Sequence, residues 1–484
     1  MFRTKSVEAI RADHEAHVRG DHGHGPALKR ELGLFSLVAL GVGCTIGSGI
    51  FVMPAEIASQ TGPAMVVSFI LAAVACALAA LSYCELANLI PASGSAYSYT
   101  YVALGEVVAW MIGWALLLEY GLANSAVASG WGSYLNQILG GFGWHIPPRL
   151  LFPPGVHIPN STEVGLFNAP AAFSIVLITL LLIAGIKESA RVNNVLVAAK
   201  CLALMMFIGL CMGKFEPSRM EPFMPFGWKS VAASAGQLFF LFVGFDAVST
   251  VAEEAVDAQR DMPRGIVIAL AIVSVLYVAV GLVLTGLYPL AQLKGLQEPL
   301  AAGLIVAGYP KAAYVLSIVA VIGILGVLIV GSIGQTRILY VMSRDGLAPA
   351  FMSKISPRTG TPVASTLVLG VVTAILAASV PLDALWDMVS FGTLAAFCAV
   401  SAGVIAMRRK APDIPRVFKC PGVPFVPILS IAVNVALMLT LQWSSWFTFL
   451  GWMAVGLVVY FLWGHKSASK VFNLTQAEPG PLLP

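Results

Sequence analysis

Charged residues are scarce in this sequence. Aspartate, glutamate, lysine and arginine make up 11% of the 484 residues, against about a quarter in a typical soluble domain. Hydrophobic residues make up 58%. So little charge argues against a nucleic-acid-binding protein with a basic face, a disordered protein and an ordinary cytosolic enzyme. The composition therefore predicts a polytopic membrane protein.

Histidine and cysteine are also few, and their positions do not suggest a metal site, a disulfide framework or a catalytic centre. None of the seven cysteines forms a CxxC pair, which argues against a zinc site or a disulfide framework. No predicted membrane span contains a histidine, and neither HExxH nor GxSxG occurs, so we expect no metal site and no membrane-embedded enzyme. Residues 1–31 are polar, and we predict a solvated tail there.

Long apolar runs recur along the chain. A helix that crosses the hydrocarbon core of a membrane needs about 20 apolar residues. We therefore predict an all-α membrane protein with about twelve transmembrane helices. The predicted spans are residues 33–56, 62–84, 105–133, 168–186, 192–213, 231–253, 265–288, 312–340, 362–380, 386–407, 423–442 and 446–464.

Lysine and arginine are distributed unevenly between the loops. With a cytoplasmic N-terminus, 21 of the 28 fall in cytoplasmic segments and six in outer loops, while Lys200 lies inside a span. Cytoplasmic loops normally carry the excess of positive charge. We therefore expect both termini in the cytoplasm.

Two of the predicted spans contain sequences that interrupt a helix. The first carries four glycines within residues 41–49, and the sixth carries Phe-Val-Gly-Phe-Asp at 242–246. Small residues in membrane helices also serve as close-packing sites, which is the alternative interpretation. If spans one to five and six to ten form inverted repeats, the two interruptions correspond, and such paired breaks indicate the central site of a transporter. Both lie near the middle of the membrane, so we expect them to meet.

A broken helix at this depth exposes backbone groups that suit a zwitterionic ligand. The half-helix after Gly47-Ser48-Gly49 presents N–H groups and its positive dipole end, which suit a carboxylate. Carbonyls around Cys44 and Thr45 and in the break of span six suit an ammonium group. The pattern predicts a site for an α-amino acid. The predicted substrate-binding residues are Cys44, Thr45, Ile46, Gly47, Ser48, Gly49, Phe240, Leu241 and Val243.

Charge deep inside a membrane span is expensive and usually functional, and three ionisable residues deep in the spans are functional candidates. Burial disfavours the charged form of Lys200, so we predict that it exchanges protons; the alternative is a permanently charged lysine satisfied by carbonyls of the broken helices. Glu119 either bonds to a neighbouring helix or joins a proton relay. Asp246 follows the second break, where it either caps a half-helix or is an accessory site residue.

Four segments, 43–51, 185–194, 244–250 and 334–337, together resemble the amino acid–polyamine–organocation superfamily. Within it, the sequence is most similar to the cationic amino acid transporter family and its bacterial members. The resemblance covers residues 30–465 and implies alternating access through a five-plus-five inverted repeat with broken helices 1 and 6. It also implies that the glycine-serine-glycine motif binds the substrate carboxylate. Lys200 lies where proton-coupled members of the superfamily carry a lysine.

The resemblance divides the chain into segments and implies a driving force. We expect a proton gradient and no cofactor, with an amino acid, protons and lipid as partners and no nucleic acid, in a bacterial inner membrane. The expected segments are a tail at 1–31, repeats at 32–213 and 231–408, two added helices at 423–464 and a tail at 465–484.

Several alternatives remain open from the sequence alone. Phe240, Leu241 and Val243 favour a small or apolar substrate side chain, whereas Glu119 and Asp246 are the candidate partners for a cationic one. Proton symport and amino acid exchange both fit the motifs. A sensor that binds an amino acid without moving it also fits. We expect proton-coupled symport of small or apolar amino acids.

Overall fold

A computed structural model describes residues 32–90, 94–158, 161–185, 190–246, 248–249, 255–296 and 298–465 of the chain. These residues are helical apart from loops and two isolated β-bridges. The predicted tails lie outside the described residues except for His465, and so do residues 186–189 of the second family motif and residues 247 and 250 of the third. The division into two repeats and two added helices stays a prediction.

The apolar segments fold as helices because a backbone surrounded by lipid must satisfy its own hydrogen bonds. The helices are α1 (Leu34–Thr45), α2 (Gly49–Thr61), α3 (Met65–Leu89), α4 (Ser95–Ala103), α5 (Glu106–Gly141), α6 (Ala169–Ile183), α7 (Ala190–Met212), α8 (Gly227–Leu238), α9 (Ala258–Leu287), α10 (Leu290–Leu293), α11 (Pro299–Val306), α12 (Pro310–Arg344), α13 (Val363–Ser379), α14 (Leu382–Lys410), α15 (Phe425–Thr440) and α16 (Trp443–Val459).

Within the described residues, seven helical stretches are long and apolar enough to cross a membrane. Four further apolar helices of 10–17 residues are shorter than a full span. One of these, α1, is the first half of an interrupted segment that continues as α2. The all-helical membrane architecture is therefore confirmed, and the count of twelve spans stays a prediction.

Both predicted interruptions are present. Helix α1 ends at Thr45 and α2 begins at Gly49, with Ile46 at φ −76° and ψ 74°, outside the helical region. Helix α8 ends at Leu238, continues as a short 3₁₀ turn over Phe239–Phe242, and becomes extended at Val243. Gly244 then adopts φ +123°, a conformation that side chains beyond glycine rarely tolerate.

The two interruptions lie directly against each other. A methyl group placed on Gly244 would lie 2.9 Å from the carbonyl oxygen of Cys44. A methyl group placed on Gly49 would lie 3.1 Å from Leu241. Glycine is needed at Gly244 because a side chain there would collide with the backbone of Cys44, whereas at Gly49 it would meet the side chains of Leu241 and Phe240.

The glycines of the first interruption divide into two groups. Gly41 and Gly43 pack against other helices, since a methyl group on them would lie 2.8 Å from Ala269 and 2.5 Å from Val197. A methyl group on Gly47 would meet only Val327 and Val127, at ordinary contact distances of 3.6 and 3.7 Å. The close-packing interpretation therefore holds for the first pair, and Gly47 has room around it.

An ion cluster fastens the C-terminal end of α3. The Glu85 carboxylate is fully buried and accepts two hydrogen bonds from Arg408, at 2.7 and 2.9 Å. Arg416 lies 3.1 Å from the same carboxylate, and the amide of Cys420 donates to it at 2.8 Å. The cluster ties α3 to the end of α14 and to the loop that follows it.

Candidate substrate site

A cavity of about 70 Å³ lies where the two interruptions meet. A single water needs about 10–15 Å³ by this measure, so the cavity has room for a small organic ligand. Its walls come from both interruptions and from α5 and α12, which pack along each other beside them. The predicted site residues among its lining are Cys44, Thr45, Gly47, Gly49, Glu119, Phe240, Leu241, Val243 and Asp246.

Three predicted residues lie beside the cavity without being part of its lining. Ile46 is fully buried, and its carbonyl accepts a hydrogen bond from Lys200. Ser48 packs against α5, where a methyl group on Gly130 would lie 2.5 Å from its Cβ. Lys200 also lies outside the lining. A ligand in the cavity therefore touches the backbone around Gly47 and Gly49 rather than these side chains.

The start of α2 provides hydrogen-bond donors at the cavity. Gly49 and Ile50 are the first two residues of this helix, so their amides have no acceptor within it. Gly49 lines the cavity, and the helix continues away from it for 13 residues. The positive end of the helix dipole and its amides together favour a negatively charged group at this position.

The carbonyls of the first interruption are less accessible than the sequence suggests. The Thr45 carbonyl accepts a hydrogen bond from the Tyr277 hydroxyl at 2.7 Å and another from the amide of Gly47 at 2.8 Å. The expectation of a free Thr45 carbonyl is therefore wrong, because α9 supplies a tyrosine that reaches into the break. The Phe240 carbonyl accepts from the amide of Val243 at 3.2 Å. Cys44, Leu241 and Val243 remain the candidates to receive an ammonium group.

Lys200 lies outside the cavity lining and forms hydrogen bonds to the backbone at the end of α1. Its ammonium group donates to the carbonyls of Gly43 at 2.6 Å and Ile46 at 2.9 Å. The side chain is only 2% exposed. The stem of the lysine fits because α12 has a glycine at position 323, where a methyl group would lie 2.7 Å from Cδ. The charge of this residue therefore acts on the backbone that shapes the cavity.

Two acids line the cavity. Glu119 is 2% exposed and accepts a hydrogen bond from the Thr393 hydroxyl at 2.6 Å through Oε1. Its other oxygen is buried without a hydrogen-bond partner in the described structure. Asp246 is also 2% exposed and accepts from the amide of Gly244 at 3.2 Å, which closes the turn of the second interruption. These acids make one part of the cavity wall acidic and polar.

Another part of the cavity wall is apolar. Val127 of α5 and Val327 of α12 lie next to Gly47 in the cavity lining, which also includes Val330 and Ala123. Branched aliphatic side chains at this position fit a small or apolar group and provide no hydrogen bonds. The cavity therefore combines backbone polar groups, an apolar wall and two carboxyl groups.

Comparison with known proteins shows which family the chain belongs to. The family model described as amino acid permease matches residues 32–463. The chain belongs to the amino acid permease family. This permease is 45% identical over 466 residues to the branched-chain amino acid permease BcaP of Bacillus subtilis, covering 96% of this chain and 98% of the relative.

Two further relatives show how widely the family varies. The permease is 44% identical to the methylthioribose transporter of Bacillus subtilis, over 96% of this chain and 98% of that protein. It is 39% identical to the vacuolar cationic amino acid transporter 4 of Arabidopsis thaliana, over 85% of this chain and 68% of that protein. The permease is therefore an integral membrane transporter and not an enzyme.

Sequence reasoning missed the part of the cavity that α5 and α12 supply. The missed lining residues include Tyr120, Asn124 and Val127 on α5 and Val327, Val330 and Gly331 on α12. One signal was available: Gly331 and Gly334 face α5, and a methyl group on Gly334 would lie 2.8 Å from Tyr120. Glycines that repeat on one face of a long helix indicate a close neighbour, but they do not identify it.

Proposed function

We propose that this permease is a proton-coupled symporter that moves small or apolar α-amino acids by alternating access. The observation that carries the proposal is the cavity at the meeting point of the two interrupted helices. Such paired breaks at the membrane midplane supply the substrate sites of transporters built from inverted repeats. We accordingly propose inverted repeats at 32–213 and 231–408, two added helices, and two cytoplasmic termini in a bacterial inner membrane.

The binding of the amino acid follows from the groups around the cavity. The substrate carboxylate accepts hydrogen bonds from the amides of Gly49 and Ile50 at the start of α2. The substrate ammonium group donates to carbonyls of Leu241 and Val243 in the second interruption. A small or apolar side chain then lies against Val127 and Val327. The name of the branched-chain relative is consistent with this class of substrate.

Proton coupling is assigned to Lys200. The charged ammonium holds the Gly43 and Ile46 carbonyls through charge-assisted hydrogen bonds, which are about twice as strong as neutral ones. Loss of the proton weakens that hold on the end of α1. Protonation therefore biases the position of the half-helix that shapes the cavity, and a proton gradient drives accumulation of the substrate.

A cationic substrate is the second candidate, because Glu119 and Asp246 both line the cavity. A lysine or arginine side chain would pair with these two carboxyl groups. Names of cationic amino acid transporters among the relatives are consistent with this alternative. Exchange of one amino acid for another would use the same cavity without net proton movement.

A transport screen tests the proposal. The purified permease is reconstituted in proteoliposomes, and uptake of each of the twenty amino acids is measured with and without an acid-outside gradient. We expect accumulation of small or apolar amino acids that depends on the gradient. Accumulation of lysine or arginine alone would favour the cationic alternative, and gradient-independent counterflow would favour exchange. Binding without counterflow would identify a sensor.

Substrate analogues test the role of the backbone groups. A buried polar group left without a partner costs about 1–3 kcal/mol, roughly ten- to hundredfold in affinity. Methyl esters and decarboxylated amines of a transported amino acid should therefore compete poorly. Tight binding of putrescine, which has no carboxylate, would contradict the assignment of the α2 amides.

A further inference from the structure

Asn124 is a buried amide in the cavity wall whose hydrogen-bonding capacity the protein does not use. It lies on α5, is 3% exposed and lines the cavity. Its Nδ2 atom is buried without a hydrogen-bond partner in the described structure. A carboxamide has two donor hydrogens and an acceptor oxygen, so a buried one is normally bonded.

The neighbouring helix is shaped around this side chain. A methyl group placed on Gly331 of α12 would lie 2.3 Å from the Asn124 Oδ1 atom, so a larger residue there would force the amide to move. The amide lies one helical turn along α5 from Val127, which lies next to Gly47 in the cavity lining. Asn124, Val127 and Val327 all line the cavity, so a substrate held there lies near the amide as well as near the valines.

An unused buried amide lowers the stability of the empty protein. Burying a polar group without a hydrogen bond is unfavourable, and an apolar residue of the same shape avoids that penalty. Leucine has nearly the shape of asparagine and would suit a membrane helix better. A residue that weakens the fold in this way, inside a ligand cavity, points to a hydrogen bond that forms only when the ligand is present.

We propose that Asn124 hydrogen-bonds a hydroxyl or carboxamide on the substrate side chain, so that the site prefers such substrates to apolar ones of the same shape. This inference rests on the proposed function and narrows its substrate class to small side chains with a polar group. Threonine and valine make the comparison direct, because they have the same shape and differ by one hydroxyl. A substrate without the polar group would leave the amide unpaired, which disfavours it by about ten- to hundredfold.

The test compares Asn124→Leu with the unmodified permease in proteoliposomes. Competition of threonine and valine against a transported amino acid is measured, together with the thermal unfolding temperature of the purified protein. We expect the unmodified permease to prefer threonine by about tenfold or more. In Asn124→Leu, threonine should lose that preference, valine should compete at least as well as before, and the unfolding temperature should be unchanged or higher.

Asn434→Leu is the matched control. Asn434 is also a fully buried asparagine in an apolar helix, but it lies outside the cavity lining and donates to Ser430 at 3.4 Å. This variant should leave the ratio of threonine to valine competition unchanged. It reports the general effect of removing a buried amide from a membrane helix.

Three results would overturn the inference. One is an equal loss of threonine and valine competition in Asn124→Leu. Another is a clear fall in its unfolding temperature, which would mean that the amide supports the fold. The third is failure of both Asn124→Leu and the smaller Asn124→Ala to insert, which would have the same meaning. Failure of the proposed function is distinct, since the unmodified permease would then accumulate no small or apolar amino acid of any kind.

Discussion

Replacement of Lys200 by methionine separates proton coupling from substrate binding. Methionine keeps the length of the side chain but neither donates hydrogen bonds nor titrates. The Gly43 and Ile46 carbonyls lose their partner in this variant, at a cost of about 2–6 kcal/mol for two buried acceptors. Removal of a charge from the membrane interior recovers about 3 kcal/mol. The two terms nearly cancel, so we expect Lys200→Met to fold.

The size of the coupling follows from the same two hydrogen bonds. A hydrogen bond to a charged donor contributes about 1 kcal/mol more than a neutral one, so protonation of Lys200 strengthens its hold on α1 by about 2 kcal/mol. A bias of that size changes the ratio of two conformations by about 30-fold. The methionine variant lacks this bias at every pH, so a pH gradient cannot shift the ratio of its two conformations through this residue.

The assay is uptake of a transported amino acid into proteoliposomes with an acid-outside gradient, beside counterflow without a gradient. We expect Lys200→Met to lose gradient-driven accumulation while binding and counterflow stay within about tenfold of the unmodified permease. Lys311→Met, at an exposed lysine in the first turn of the long α12 helix, is the control and should behave normally. If Lys200→Met accumulates substrate with an unchanged pH profile, coupling through this residue is excluded and Glu119 becomes the next candidate.

Three further predictions concern binding, stability and pH. Gly47→Leu should abolish substrate binding in a folded protein because its side chain enters the cavity, whereas Gly43→Ala should lower the unfolding temperature because its methyl group collides with a neighbouring helix. Glu85→Gln should destabilise the protein by about 3–5 kcal/mol because two arginines lose a buried partner, while Glu163→Gln at an exposed ion pair should change stability by less than about 1 kcal/mol. Burial raises the pKa of Glu298, in the loop before α11, to about 7. Its neutral form is therefore favoured in the fold, so the unfolding temperature should fall as pH rises from 5 to 7 and Glu298→Gln should remove that part of the dependence.

The broken helices could be predicted from the sequence because their signals are local. Four glycines within nine residues weaken a helix wherever it packs, and a matching interruption in the sixth span indicates a pair. The sequence could not show which glycines border the cavity. Gly43 and Gly47 cannot be distinguished by their sequence context. Gly43 is recognised as a packing residue only from its close contact with Val197 on α7.

Contacts between distant segments could not be predicted. Tyr277 donates a hydrogen bond to the Thr45 carbonyl, although the two residues are 232 positions apart in the sequence. No local sequence pattern indicates that a tyrosine of α9 contacts the interruption between α1 and α2. Asn124 and Gly331 face each other only because α5 and α12 pack in one particular register. The depth of Lys200 in its span was readable from the sequence, whereas its bonds to Gly43 and Ile46 depend on how α7 packs against α1.

A structure of the permease with a transported amino acid bound, determined by cryo-electron microscopy in a lipid nanodisc, tests the proposed site directly. We expect the ligand between the two interruptions, with its carboxylate within hydrogen-bond distance of the Gly49 and Ile50 amides. Its side chain should point toward Val127 and Val327. A ligand bound elsewhere in the protein, with Gly49 and Ile50 making no contact with it, would contradict the assignment of this cavity as the substrate site.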